Sequence, residues 1–336
     1  MAPDDKATWP TVSAPATDGI QLQVPLPPAL SDDDVIARWT ELAFAHAPRA
    51  RRAAGDVVEA GDEVTLDLLM YARGRLVPQT AGQHTLVLDD DLALPGLVDL
   101  LVGSKVGEGT QGAVQVPADY PDDRLAGATL HVLVDVVSAA VVQQRPLDDP
   151  ATLKALNLGA TVDDVAQAIA EQLQQEQRWA EVDAARQVAL DWLADQAADV
   201  ALPEEGVRER VQQQWHSREG ALLAAKGFGK DELDQALSAW LDDEHIVQDM
   251  VDGIRANLVL QAYIADKGLT VDKGDPATYV GQDLIDEGLS PRAVNDALEA
   301  SPKLKKQALL GVLFAKALAQ ILDEVEVVFV DADTDG

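Results

Sequence analysis

The residues of this chain with types suited to chemistry do not assemble into a nucleophile, a metal ligand set or a phosphate cradle. There are no cysteines, which excludes disulfides, thiolate catalysis and cysteine-ligated zinc. The five histidines, His46, His84, His131, His216 and His245, fall on separate elements without ligand spacing and read as core or surface residues, so no metal is expected. Gly107-Glu108-Gly109-Thr110-Gln111-Gly112 matches G-x-G-x-x-G, but it leads into the alternation Ala113-Val114-Gln115-Val116. A dinucleotide site needs a helix N-terminus there to meet the pyrophosphate, so no cofactor is expected. Asp331-Ala332-Asp333-Thr334-Asp335-Gly336 has the first half of a calcium loop without the glutamate that closes it and reads as an acidic tail. Asp89-Asp90-Asp91 reads as a charged turn, and Ser31-Asp32-Asp33-Asp34 as a helix cap.

The formal charge of −32 speaks to partners. A surface this acidic repels phosphate backbones and anionic lipid within the screening length, so nucleic acid and membranes are not expected partners. It also keeps a chain soluble while apolar patches are exposed, which suits a protein that holds unfolded polypeptide. Apolar residues make up 47% of the chain but aromatics only 4%, favouring helices packed through Ala, Leu and Val. No run of about 18 apolar residues is present, and Met1-Ala2-Pro3-Asp4-Asp5 lacks the basic start of a secretory signal, so a cytoplasmic location is the expectation.

The elements follow from periodicity. Residues 1–19 carry Pro3, Pro10 and Pro15 with few large apolar residues and read as a disordered tail. Ile20, Leu22, Val24 and Leu26 alternate as a strand ended by Pro27-Pro28, and Ser31 caps a helix through Val35, Ile36, Trp39 and Leu42. Short strand patterns follow, with Val64 to Leu68 a strand and Pro95-Gly96 a turn. After Arg145-Pro146 the period becomes helical. Thr161 and Asp164 cap a run to about Asp199, on the order of 55 Å long at helical rise. Pro203 opens a second helix through Val207, Val211 and Trp215; further helices are expected over 231–267, 276–287, 291–299 and 302–323, and a short strand over 326–330.

Several of these segments carry a family pattern. Val64 to Leu68, Pro95-Gly96, Gly103-Ser104-Lys105-Val106-Gly107-Glu108, Val116-Pro117-Ala118-Asp119-Tyr120 and Leu125-Ala126-Gly127 together resemble the FKBP-type prolyl isomerase domain of trigger factor, the ribosome-associated bacterial chaperone. The flanking segments are similar to that family too, including Val200-Ala201-Leu202-Pro203 at its apolar-proline junction, so the resemblance runs from about Ile20 to Val330. It implies an α+β protein: a small FKBP-like antiparallel β domain plus an elongated, mainly α-helical arm domain. The expected division is a tail (1–19), a linker strand and helix (20–54), a degenerate FKBP-like domain (55–140), a helical chaperone domain (141–330) and an acidic tail (331–336). On this resemblance the family's ribosome-docking domain and its basic Gly-Phe-Arg loop are expected to have no counterpart. Gly227-Phe228-Gly229-Lys230 stands at a glycine-rich helix junction instead.

The resemblance also implies a chemistry and shows it eroded. Rotation about an X–Pro bond faces about 18–20 kcal/mol because resonance stiffens the C–N bond. A dry aromatic cup that desolvates the carbonyl and fits the twisted amide lowers this without acid, base or nucleophile. Aligned on Pro95-Gly96 and Tyr120, the chain has Leu68, Val77, His84, Leu97 and Val132 where the family carries aromatics, and Pro78 where it carries an acid. Leu94 keeps the aliphatic character of its position, and Tyr120 alone keeps its ring. The expectation is a peptide-binding remnant with isomerase activity weak or lost, or the same positions closed into ordinary core. Function then falls to apolar surface between helices, with Trp179, Trp192, Trp215, Phe228, Trp240, Tyr263 and Phe314 as candidates; for each alone, burial in a core is the expected fate. The implied role is an ATP-independent, ribosome-independent holdase for unfolded or nascent polypeptide. A dedicated chaperone of one protein and an active prolyl isomerase are the alternatives.

Overall fold

The computed structural model describes residues 8–72, 75–77, 80–89, 95–120, 125–271, 296 and 300–331. The expected helices over 276–287 and 291–299, the residues of the Asp331–Gly336 motif after Asp331, and Pro78 lie outside the described residues in whole or in large part. The fold is α+β, and the chain forms two compact units, each discontinuous in sequence: residues 30–174 with 208–247, and residues 1–29 with 175–207 and 248–336.

The first unit is built on a six-stranded antiparallel sheet. Its strands are β2 (Arg49–Arg51), β3 (Asp62–Ala72), β4 (Arg75–Leu76), β5 (Gly82–Val87), β6 (Gly109–Gln115) and β7 (Thr129–Val142), and β7 pairs with β2, β3 and β6. Alternation decides which face is buried. Val64, Leu66, Leu68 and Met70 of β3 stand opposite Ala139, Val136, Val134 and Val132 of β7, and all eight are buried on one face. Helix α2 (Pro95–Leu101) covers that face with Leu97 and Leu101. Pro95-Gly96, expected as a turn, therefore opens a helix. Proline costs nothing at a first helical position, where its missing N–H has no partner, and a Cβ at Gly96 would stand 3.1 Å from Val114 Cγ1, so glycine lets α2 approach β6.

Helix α1 (Asp32–Ala45) starts as the sequence indicates: the Asp34 N–H donates to Ser31 Oγ (3.3 Å) and the Ser31 N–H donates to Asp34 Oδ2 (2.8 Å). Its Trp39 packs with Leu153 and Leu156 of α3 (Pro150–Leu156) and with Val165 and Ile169 of α4 (Val162–Asp195). Helix α5 (Glu204–Trp215) continues through a π-helical turn (His216–Gly220) into α6 (Ala221–Ala225). The helix expected over 231–267 is two helices, α7 (Lys230–Leu241) and α8 (Glu244–Lys267). Asp243 Oδ1 accepts the N–H groups of His245 (3.1 Å) and Ile246 (3.2 Å), so its carboxylate caps a new helix in place of continuing the old one.

The second unit packs the C-terminal half of α4, α8 and α9 (Pro302–Glu324) around Leu193, Leu260, Tyr263, Ala317 and Ile321. Beside them, β1 (Gln21–Leu26) and β8 (Glu326–Asp331) form a two-stranded parallel sheet. The expected tail is not free over its second part: Val12 packs against this core, and the Thr17 hydroxyl donates to Glu324 Oε2 at 2.7 Å.

Candidate functional site

The isomerase-like positions are brought into one place without forming a cup. Leu68, Leu97 and Val132 are 4%, 4% and 1% exposed, within the continuous core beneath the sheet, and Val77 and Tyr120 are partly buried at its margin. His84 stands opposite Leu66 in the register but on the outer strand β5, exposed, with Nε2 3.3 Å from the Thr80 carbonyl. Leu94 lies outside the described residues. Val and Leu at these sites fill the space with branched aliphatic groups and pack against one another. None carries a group that transfers a proton or attacks a carbonyl.

The seven aromatic candidates of the helices divide by environment. Trp215, Trp240 and Tyr263 are buried and hold their helices together. The Trp240 indole N–H donates to the buried Glu219 at 2.5 Å, and a Cβ at Gly220 would stand 2.8 Å from the Trp215 ring, so the π-helical turn is packed around both indoles. Burial pushes the Tyr263 phenol up, and Glu324 adds to the shift. Trp192 and Phe314 lie half-buried at the edge of the α4–α8–α9 core, Phe228 is half-buried at the α6–α7 junction, and Trp179 is 62% exposed on α4.

Between α4, α8 and α9 lies a cleft of about 830 Å³. Its floor is apolar, from Leu190 and Ala194 of α4, Ala256 and Leu260 of α8, and Phe314 and Leu318 of α9. Its rim is charged, with Asp191, Asp249 and Asp252 set against Arg186. Of its lining, only Phe314 was singled out from the sequence. A signal was present in part, since Leu190 and Ala194 are four residues apart, as are Ala256 and Leu260, and Phe314 and Leu318, each pair on one helix face.

No family model matches the chain. Among curated proteins, it is 26% identical over 255 residues to the trigger factor of Lactobacillus delbrueckii subsp. bulgaricus, spanning 72% of this chain and 56% of that one. It is 34% identical over 128 residues to the trigger factor of Azospirillum brasilense, spanning 38% and 29%. With the trigger factor of Halothermothrix orenii it shares 24% identity over 303 residues, 88% of this chain and 68% of that one. The chain is similar to trigger factors over most of its length. It spans a little over half the length, 56%, of the Lactobacillus trigger factor that it matches. A solved trigger factor chaperone, studied for promiscuous substrate recognition in folding and assembly, overlays 96% of this chain and 74% of its own at 16% identity with a TM-score of 0.37. Among the described residues, no helix is long and apolar enough to cross a membrane.

Proposed function

We propose that this chain is an ATP-independent holdase that binds unfolded or unassembled polypeptide without docking to the ribosome, its prolyl isomerase activity weak or lost. The observation that carries the reading is the cleft between α4, α8 and α9, whose apolar floor and charged rim fit a segment presenting a few large side chains. Trp192 and Phe314, on the accessible edge of the same core, are the client-contacting aromatics of this reading, and Trp179 extends the surface along α4. Trp215, Trp240 and Tyr263 serve the packing instead.

Similarity to trigger factors over most of the chain supports the general role, and the net charge of −32, which opposes a phosphate-rich ribosomal surface, supports ribosome independence. Loss of isomerase activity rests on Leu68, Leu97 and Val132 being packed where an aromatic cup would be open. The test is light scattering of a chemically unfolded, unrelated protein diluted into buffer with this chain. Suppression at near-stoichiometric amounts is expected; scattering that no ratio alters overturns the reading.

A further inference from the structure

The Gly227-Phe228-Gly229-Lys230 junction, set aside above as a ribosome signature, has a different place in the fold. It is the tip between α6 and α7, and within its own compact unit it lies on the outer face of the sheet, opposite the buried core. Two local devices shape the tip. Gly227 takes φ +86 to end α6, a conformation glycine adopts without penalty, and the Gly229 N–H donates to Glu232 Oε2 at 2.7 Å at the start of α7. Helix α7 then runs against β4.

What the tip meets is a frustrated pair. Asp67 of β3 and Asp135 of β7 are register partners on the outer face, an arrangement of like charges that opposes strand pairing. On its other side, Asp135 pairs with Gly109 of β6, where a Cβ would stand 2.5 Å from Asp135 Oδ1, so the glycine leaves room for that carboxylate. Lys226, at the end of α6, forms an ion pair with Asp67 Oδ2, with side-chain exposures of 22% and 30%. Asp135, Lys226 and Phe228 line one groove of about 580 Å³, whose walls also include Leu69 and Leu133.

We propose that Lys226 is an electrostatic latch holding the α6–α7 tip over the outer face of the sheet, and that its release exposes the half-buried Leu69 and Phe228 beside Leu133, which is already 40% exposed. The tip thus forms one wall of the groove and the sheet the other, and the Lys226 ion pair closes them together while relieving the Asp67–Asp135 repulsion. The use of the released patch for clients rests on the holdase reading; the latch itself does not.

The chain has no cysteine, so the variant Leu69→Cys places one half-buried thiol in the groove, and its rate of reaction with a maleimide dye reports opening. Adding Lys226→Glu is expected to accelerate labelling about fivefold, the scale of one partly buried ion pair. Raising salt to about 1 M is expected to accelerate the parent but not the Lys226→Glu form, since the screening length falls to about 3 Å. The exchange Asp67→Lys with Lys226→Asp restores slow labelling and separates the latch from general loss of structure. Labelling that does not change with Lys226→Glu, or an acceleration the exchange fails to reverse, overturns the proposal. Both outcomes are independent of the scattering assay, which alone judges the holdase reading.

Discussion

Arg52 holds Asp62 in a two-pronged grip: its Nε donates to Asp62 Oδ2 at 2.6 Å and its Nη2 to Asp62 Oδ1 at 2.9 Å. Asp62 is 2% exposed at the first residue of β3, and the Glu59 N–H also donates to its Oδ2 at 2.8 Å, so the carboxylate is taken from water and returned three directed donors. Arg52 follows β2 directly, and its N–H donates to the Ala139 carbonyl of β7, so the pair fastens the chain entering the sheet to two of its strands. The guanidinium is pushed up by the hydrogen bonds of Asp62 and Glu59, a direction that deepens its permanent charge.

Removing the arginine leaves that carboxylate buried without its counter-charge. Arg52→Ala is expected to destabilise the unit by about 3 kcal/mol, the usual penalty for orphaning one member of a buried pair. Urea unfolding checks this. A loss no greater than that of an exposed control such as Arg208→Ala would show that Asp62 finds water or other donors.

A second buried carboxylate depends on an indole. Trp240→Phe keeps an aromatic ring in place but removes the N–H that Glu219 accepts, and the expected cost is about 2 kcal/mol, that of a buried charged hydrogen bond. Thermal unfolding followed by far-ultraviolet circular dichroism reads it. Trp179→Phe, on an exposed side chain, is the matched comparison and is expected to leave the midpoint unchanged.

How far the sequence reveals this fold differs from element to element. Local patterns carried through: the Ile20 to Leu26 alternation is β1, the Ser31 box caps α1, and the Thr161–Asp164 signal opens α4, with the Asp164 N–H donating to Thr161 Oγ1 at 3.2 Å. The break between α7 and α8 was legible in Asp243, a cap residue followed by acidic Glu244, but the unbroken helical period on both sides outweighed it. Pairing at long range was not legible. β1 meets β8 across the whole chain, and nothing in either strand names its partner. The seven aromatics were equally opaque one at a time, because the same Trp fits a core or a surface; only packing separates buried Trp215 from exposed Trp179. The cleft needed three helices to be placed before any of its floor residues became a wall.

The second unit carries a pH-sensitive fastening at Glu324. It accepts from the Thr17 hydroxyl (2.7 Å), Lys267 Nζ (2.9 Å) and Gln320 Nε2 (3.0 Å), and these donors hold its carboxyl down at about 2, below the ordinary 4.5. A carboxyl lowered by folding contributes stability that is whole above about 4.5 and drains away as pH falls toward 2. Glu324→Gln is therefore expected to lower the unfolding temperature at neutral pH, with the gap to the parent closing between pH 4.5 and 2. A gap that stays constant over that window would assign the effect to packing instead. Hydrogen exchange at β1 and β8 is expected to rise in the same variant, since Thr17 precedes β1 and Glu324 precedes β8.

Isomerase activity offers a prediction in which chemistry and packing separate. A coupled assay on a Xaa-Pro peptide is expected to show turnover far below that of an intact FKBP enzyme at micromolar protein, because Leu68, Leu97 and Val132 are buried against neighbouring core residues. Tyr120→Phe removes the one retained hydroxyl among the aligned positions and is expected to leave the residual rate unchanged. Robust turnover that Tyr120→Phe abolished would mean that the cup opens around this ring.

The cleft is tested most directly by charging its floor. Phe314 is half-buried at the edge of the α4–α8–α9 core, so Phe314→Asp places a carboxylate where an apolar client side chain would sit, beside a rim already bearing Asp191, Asp249 and Asp252. The expected result is a rise of about tenfold in the amount of protein needed to suppress aggregation, equivalent to about 1.4 kcal/mol of binding. Phe314→Leu keeps the floor apolar and is expected to stay within about twofold of the parent, because it removes ring area without adding charge. Two controls keep the comparison interpretable. The unfolding midpoint of Phe314→Asp shows whether the unit still stands, and Trp179→Asp, on the exposed stretch of α4, shows whether any added carboxylate on the helices has the same effect. Equal losses from Trp179→Asp and Phe314→Asp would move the client surface out of the cleft and onto the open face of α4.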